Sequence, residues 1–206
     1  MATETTSLDT LTDIRKMMEK SSRFISLSGW SGIVAGACAL AGAFFAHRTL
    51  AGAYENNQLD AANVEGVKTS LILIASAVFA SAFLAAFLFT YFRSRRQGTP
   101  IWGAIAKRLL WNTMLPMAVG GLVILHLLST ENYSLIAPYT LIFYGLALIN
   151  GSKYTLGEIR YLGYLEIILG LISLWFTDRW LLLWAIGFGA MHIIYGLMMW
   201  WRYERK

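Results

Sequence analysis

Six apolar stretches, separated by short polar segments, run from Phe24 to Trp201. A helix needs roughly 20 apolar residues to cross the hydrocarbon core of a bilayer. The stretches at 24–46, 69–91, 109–130, 135–152, 159–177 and 180–201 meet that requirement and carry almost no charge. Strands of a membrane barrel would alternate polar and apolar residues over about ten positions, and these runs do not alternate. The expected fold is therefore an all-α membrane protein, a bundle of six transmembrane helices forming one domain over 24–201. Residues 1–23 are expected as a cytoplasmic amphipathic segment and 202–206 as a cytoplasmic tail. A hydrophobic share of 57% leaves little chain for a water-soluble domain.

The first stretch exceeds the roughly 7–15 apolar residues of a signal peptide, so it reads as a permanent first helix. Before it, Leu8, Leu11, Ile14 and Met18 recur at helical spacing, and Thr6 with Asp9 fits a capping box. The opposite face carries Asp13, Lys16 and Lys20, which suits a short helix lying flat on the membrane surface.

Charge is distributed by side rather than by domain. Six crossings put the N-terminus, loops 2–3 and 4–5, and the C-terminus on one face. Of 17 Lys and Arg, only Arg48, Lys68 and Arg179 then fall on the other face. By the positive-inside rule this bias places both termini in the cytoplasm. The net charge of +5 is thus read as contact with anionic lipid headgroups, and no nucleic-acid partner is expected. A protein partner or homo-oligomer stays open. The single Cys38 lies within the first span, so no disulfide framework exists.

The segment from His47 to Val67 reads as the one sizeable outer loop. Loops 3–4 and 5–6 are short enough for antiparallel hairpins. Trp175, Trp180 and Trp184 mark the outer boundary, while Trp111, Trp200 and Trp201 mark the inner one. Pro116 fits a kink in span 3, and Pro138 fits the start of span 4.

An internal pattern relates three spans. Span 1 carries Gly29, Gly32 and Gly36; span 5 carries Gly163, Glu166 and Gly170; span 6 carries Gly189, His192 and Gly196. The shared form is G-x-x-X-I-[VI]-x-G. Its three-then-four spacing places the marked positions on one helix face. Lipid gives helices no hydrophobic reason to associate, so small residues that admit close backbone contact must supply it. These glycines are expected to pack helices.

Two of the marked positions carry ionisable groups. Counted from the inner ends of spans 5 and 6, Glu166 and His192 both lie roughly 12–14 Å deep at 1.5 Å per residue. At matching depth they can meet. A carboxylate inside the bilayer costs on the order of 2–3 kcal/mol or more, so it should be neutral, paired or hydrated. Three readings stand side by side: a hydrogen bond bracing spans 5 and 6, a proton or cation site of a small transporter or channel subunit, and a metal, haem or enzymatic site. Tyr144 and Tyr195 lie near the same depth, and Asn150 and Asn112 nearer the inner surface, so the four could extend a polar track. With His47 and His126 near the outer face, no cage of two or three His assembles at His192.

The sequence holds no phosphate-binding G-x-x-x-x-G-K-[ST] loop and no H-E-x-x-H or C-x-x-C, and no Lys lies centrally in a span. Gly29-Trp30-Ser31-Gly32 matches G-x-S-G and superficially resembles the rhomboid intramembrane proteases. Here, however, the Ser sits in the first span near the inner surface, without the accompanying His and Asn of span 2. Neither an enzyme nor a cofactor or metal is expected.

The run Ser22-Arg23-Phe24-Ile25-Ser26-Leu27-Ser28-Gly29, leading into a glycine-rich first span, resembles a family of uncharacterised bacterial six-span inner-membrane proteins. Tyr154-Thr155-Leu156-Gly157-Glu158-Ile159-Arg160 adds to that resemblance. The repeated G-x-x-x-I-x-x-G is also similar to the six-span family associated with bacterial acid resistance. Both resemblances imply the bundle and its membrane, and neither implies an activity. The expectation is a non-enzymatic structural or regulatory membrane partner, with the transporter or channel reading of Glu166 and His192 as the alternative.

Overall fold

A computed structural model describes residues 28–55, 61–96, 98 and 102–205. The amphipathic segment expected over 1–23 lies outside them. The described residues form helices α1 (Gly29–Glu55), α2 (Ala61–Arg96), α3 (Ala104–Ser129), α4 (Ile136–Gly151), α5 (Ile159–Trp175), α6 (Trp180–Trp184) and α7 (His192–Tyr203). A π-helical stretch, Ala185–Met191, joins α6 to α7 without a break. No strand occurs among the described residues. A spanning chain must satisfy every backbone N–H and C=O within itself, and a helix does so turn by turn.

Five segments are long and apolar enough to cross a membrane: Gly29–Glu55, Val64–Arg96, Ala104–Ser129, Tyr133–Tyr154 and Thr177–Tyr203. The remaining expected span, α5, has 17 residues, about 25 Å at 1.5 Å per residue. Burial is inverted relative to a water-soluble domain. Alanines fill much of the interior, among them Ala39, Ala43, Ala137 and Ala147, while Phe79, Phe83, Leu122 and Trp175 stand on the outside. Contiguous exposed apolar surface of this extent is consistent with a membrane protein, whose lipid covers it.

Several helices outrun their apolar stretches. The segment expected as an outer loop, His47–Val67, is mostly helical: α1 continues to Glu55 and α2 begins at Ala61. Hydropathy marks where lipid ends, not where a helix ends. Ala51, Ala53, Ala61 and Ala62 have the strongest helix propensity of any residue type and carry the backbone on. Likewise α2 runs to Arg96, and the turn beyond it contains Gly98 at φ +64, a conformation that costs glycine nothing.

Close packing runs along two antiparallel seams. In the first, α1 crosses α7 and the π-helical stretch. A Cβ on Gly36 would stand 2.6 Å from the Gly189 carbonyl oxygen and 3.0 Å from the Ile193 nitrogen. In the second, α4 crosses α5, where a Cβ on Gly145 would meet the Gly163 carbonyl oxygen at 2.6 Å and the Ile167 nitrogen at 3.0 Å. The two crossings share the same glycine–carbonyl–isoleucine geometry. The seam of span 1 thus faces that of span 6, through Gly29, Gly32 and Gly36 against Gly196, His192 and Gly189. The seam of span 5 faces span 4 instead, with Gly170 against Pro138 and Ile142.

Helix ends at one face are tied by charge. The Glu204 carboxylate accepts hydrogen bonds from the backbone N–H of Gly29 at 2.5 Å, from Ser28 Oγ at 3.3 Å and from the guanidinium of Arg93. Glu158 accepts from Tyr203 Oη at 2.7 Å and pairs with Arg202 at 3.1 Å. The start of α1, the end of α2, the start of α5 and the end of α7 therefore share one face. Glu204, expected in a cytoplasmic tail, is part of this lock.

Candidate functional site

Midway along the bundle, α4, α5 and the joined α6–α7 span come together around Glu166. This side chain is fully buried, at 0% exposure, and His192 is 6% exposed. The depth argument from sequence thus leads to a real contact: His192 Nδ1 lies 3.3 Å from Glu166 Oε1. It is a contact without hydrogen-bond geometry, since neither carboxyl oxygen has a hydrogen-bond partner among the described residues.

The imidazole is committed elsewhere on both edges. Nδ1 lies 3.0 Å from the Gly187 carbonyl oxygen, and Nε2 lies 2.8 Å from Tyr144 Oη. A carbonyl only accepts, so Nδ1 carries the hydrogen in this arrangement and Nε2 accepts from the Tyr144 hydroxyl. These partners fit a neutral ring with its hydrogen on Nδ1. A second proton at Nε2 would require the Tyr144 hydroxyl to turn its hydrogen away. Phe188 packs against both rings, with centroids 5.0 Å from Tyr144 and 5.9 Å from His192.

The π-helical stretch makes this geometry. Its wider turn takes backbone bonding from four residues to five and brings the Gly187 carbonyl into line with the ring of His192, five positions on. Gly187 also admits the carboxyl: a Cβ there would stand 2.6 Å from Glu166 Oε2 and 2.6 Å from Leu141 Cδ2. Sequence reasoning missed Gly187, because the repeat begins at Gly189. The pair of glycines two apart in an otherwise bulky span, Gly187-Phe188-Gly189, was the available signal.

The other candidates divide. Tyr144 joins the cluster directly. The Tyr195 hydroxyl is buried without a hydrogen-bond partner, and its side chain packs toward Leu156, Ile159 and Met199 rather than toward Glu166. Asn150 and Asn112 do a separate job. Pro116 has no N–H, so within α3 the Asn112 carbonyl four residues earlier loses its helical donor. Asn150 Nδ2 replaces that donor at 3.1 Å. This repair between helices accounts for Asn150 without a polar track. Ser31 Oγ, the serine of the G-x-S-G match, donates to the Ser28 carbonyl oxygen at 2.5 Å, a local bond at the start of α1.

One further polar group faces the same interior. Ser173 in α5, two turns beyond Glu166, is fully buried, and its hydroxyl has no hydrogen-bond partner among the described residues. Among those residues no cluster of three or more His, Cys, Asp or Glu stands ready to hold a metal ion. What the arrangement offers is an acid and an imidazole in contact, with a phenol on the far side of the ring. Those three groups can pass a proton along a line.

Compared with protein-family models, with curated proteins and with solved structures, the chain matches none, so its function is argued from the geometry of this site.

Proposed function

We propose that the chain is a six-span protein of a bacterial cytoplasmic membrane, with both termini inside, that handles a proton within the bilayer at Glu166, His192 and Tyr144. The observation that carries this reading is the fully buried Glu166 carboxyl, whose two oxygens have no hydrogen-bond partner among the described residues while the imidazole stands 3.3 Å away. A carboxyl kept only to brace two helices would have its hydrogen bonds made, because an unmade one in a buried site costs about 1–3 kcal/mol. Buried polar groups left unsatisfied in an otherwise well-packed interior point to an ion or proton that comes and goes.

The relay follows from the bond partners. A proton arriving through the Tyr144 hydroxyl binds Nε2, and the Nδ1 proton passes to Glu166 Oε1. The ring is left neutral with its hydrogen on Nε2, which the Tyr144 hydroxyl turns to accept, and a shift of that hydrogen back to Nδ1 readies the ring for the next proton. Such a site suits a small transporter or channel subunit and calls for no enzyme, metal or cofactor. Reconstituted liposomes loaded with a pH-sensitive dye test it. After an external acid pulse the native chain should acidify the lumen, and Glu166→Gln should abolish that flux with thermal stability retained. Equal flux from both would rule the site out.

A second reading, a structural or regulatory membrane partner, draws support from the sealing of the pair: Glu166 and His192 are closed off from the surface in this conformation. It expects no proton flux from the native chain and a consistent second protein on crosslinking in native membranes.

A further inference from the structure

At the face where Glu204 ties the helix ends together, a cleft of about 470 Å³ opens between the start of α1, the end of α2 and the end of α7. Its lining is of two kinds. Arg93, Arg96 and Glu204 are charged, and Trp30, Phe89 and Phe92 are apolar aromatics. Trp30 and Phe92 are about half exposed on the outer surface of the bundle, so the apolar lining continues into surface that lipid would cover.

The charges do not cancel. Glu204 neutralises Arg93, to which it is bonded. Arg96 has no acidic partner among the described residues, which leaves the cleft with one positive charge in excess. Close to the cleft, Arg95 lies over the Tyr91 ring at 5.7 Å, Arg205 over Trp201 at 4.3 Å, and Arg202 pairs with Glu158. Arg96 stands apart from them.

We infer that this cleft binds the headgroup of an anionic phospholipid, with the phosphate at Arg96 and the upper acyl chain along Phe89 and Phe92. A planar guanidinium fork matches phosphate oxygens, and basic pockets between spanning helices on the cytoplasmic side suit such headgroups. The volume falls within the range of pockets that enclose small ligands. A free anion would gain nothing from the three aromatic side chains, and a neutral lipid nothing from Arg96. The inference rests on the membrane reading and not on proton handling at Glu166.

Native mass spectrometry of the delipidated full chain tests it, with phosphatidylglycerol and phosphatidylcholine supplied in turn. One phosphatidylglycerol should be retained, and phosphatidylcholine should not. Arg96→Gln should weaken retention about fivefold, the equivalent of about 1 kcal/mol for one cation at an anionic surface. Arg95→Gln, the same charge change one residue away, should leave retention unaltered, as should Glu166→Gln. Equal retention of the two lipids, or equal losses in Arg95→Gln and Arg96→Gln, would overturn the site. So would displacement of the lipid by millimolar inorganic phosphate. A disulfide forming readily between Phe92→Cys and Met18→Cys, with Cys38→Ser, would also overturn it by seating the chain's own N-terminal segment in the cleft.

Discussion

Glu204, where three helix ends meet, accepts hydrogen bonds from the Gly29 N–H, Ser28 and Arg93, whereas Glu166, in the middle of the bundle, accepts none from the described residues. Both carboxyls contact the last span or belong to it, and both belong to acid–base pairs. The difference lies in what surrounds them. At the helix ends, unpaired N–H groups and cationic side chains are available, so a charged carboxylate can be fully satisfied there. In the middle, helical N–H groups bond within their own helices, and His192 Nδ1, 3.3 Å from the carboxyl, is directed at Gly187. The outer carboxyl therefore ties helix ends to one another. The inner one is where the proposed proton exchange would take place.

The largest expected effect is at the satisfied carboxyl. Glu204→Ala leaves Arg93, whose side chain is 11% exposed, without its partner and uncaps α1. Breaking such a pair should cost about 3 kcal/mol in a detergent unfolding titration. A loss well under that would mean the lock is decorative and would erase the contrast.

Next comes Gly187→Ala. A methyl group 2.6 Å from Glu166 Oε2 must displace the carboxyl or widen the helix crossing. The expected cost is about 1–3 kcal/mol, as for an overfilled core, with loss of proton flux in liposomes. Unchanged flux would show that the carboxyl need not sit where it does.

Glu166→Gln is expected to shift stability by less than about 1 kcal/mol, since intramembrane hydrogen bonds average about that or less and this carboxyl makes none. A large loss would turn the inner pair into a brace like the outer one. The smallest effect belongs to Arg202→Gln. Arg202 is 63% exposed, and Glu158 keeps its bond from Tyr203, so the change should stay within about 0–1 kcal/mol by the same titration.

Much of this contrast could be read from the chain, and some could not. Glu166, His192 and Tyr144 were found by counting depth along apolar runs, because helical rise is fixed and the runs have clear inner ends. The glycine pattern of spans 1, 5 and 6 marked faces that do pack closely. Which helix each face meets was not legible. Span 5 chose span 4, where Gly145 stands outside the repeat, because mutual fit across two surfaces is not written in either alone. The π-helical stretch was hidden for a related reason: its extra residue per turn is stabilised by tertiary packing, not by local propensity. Glu204 read as tail because hydropathy ends at Trp201 while the helix continues to Tyr203. Asn150 read as part of a track because its true partner is a carbonyl freed by Pro116 on another helix.

Infrared difference spectroscopy of the chain in lipid, between acidic and alkaline buffer, addresses the proton at Glu166 most directly. A protonated-carboxyl band should rise on acidification in the native chain, vanish in Glu166→Gln and shift its midpoint in Tyr144→Phe. A spectrum in which Glu166→Gln removes no pH-dependent carboxyl band would contradict proton exchange at this site.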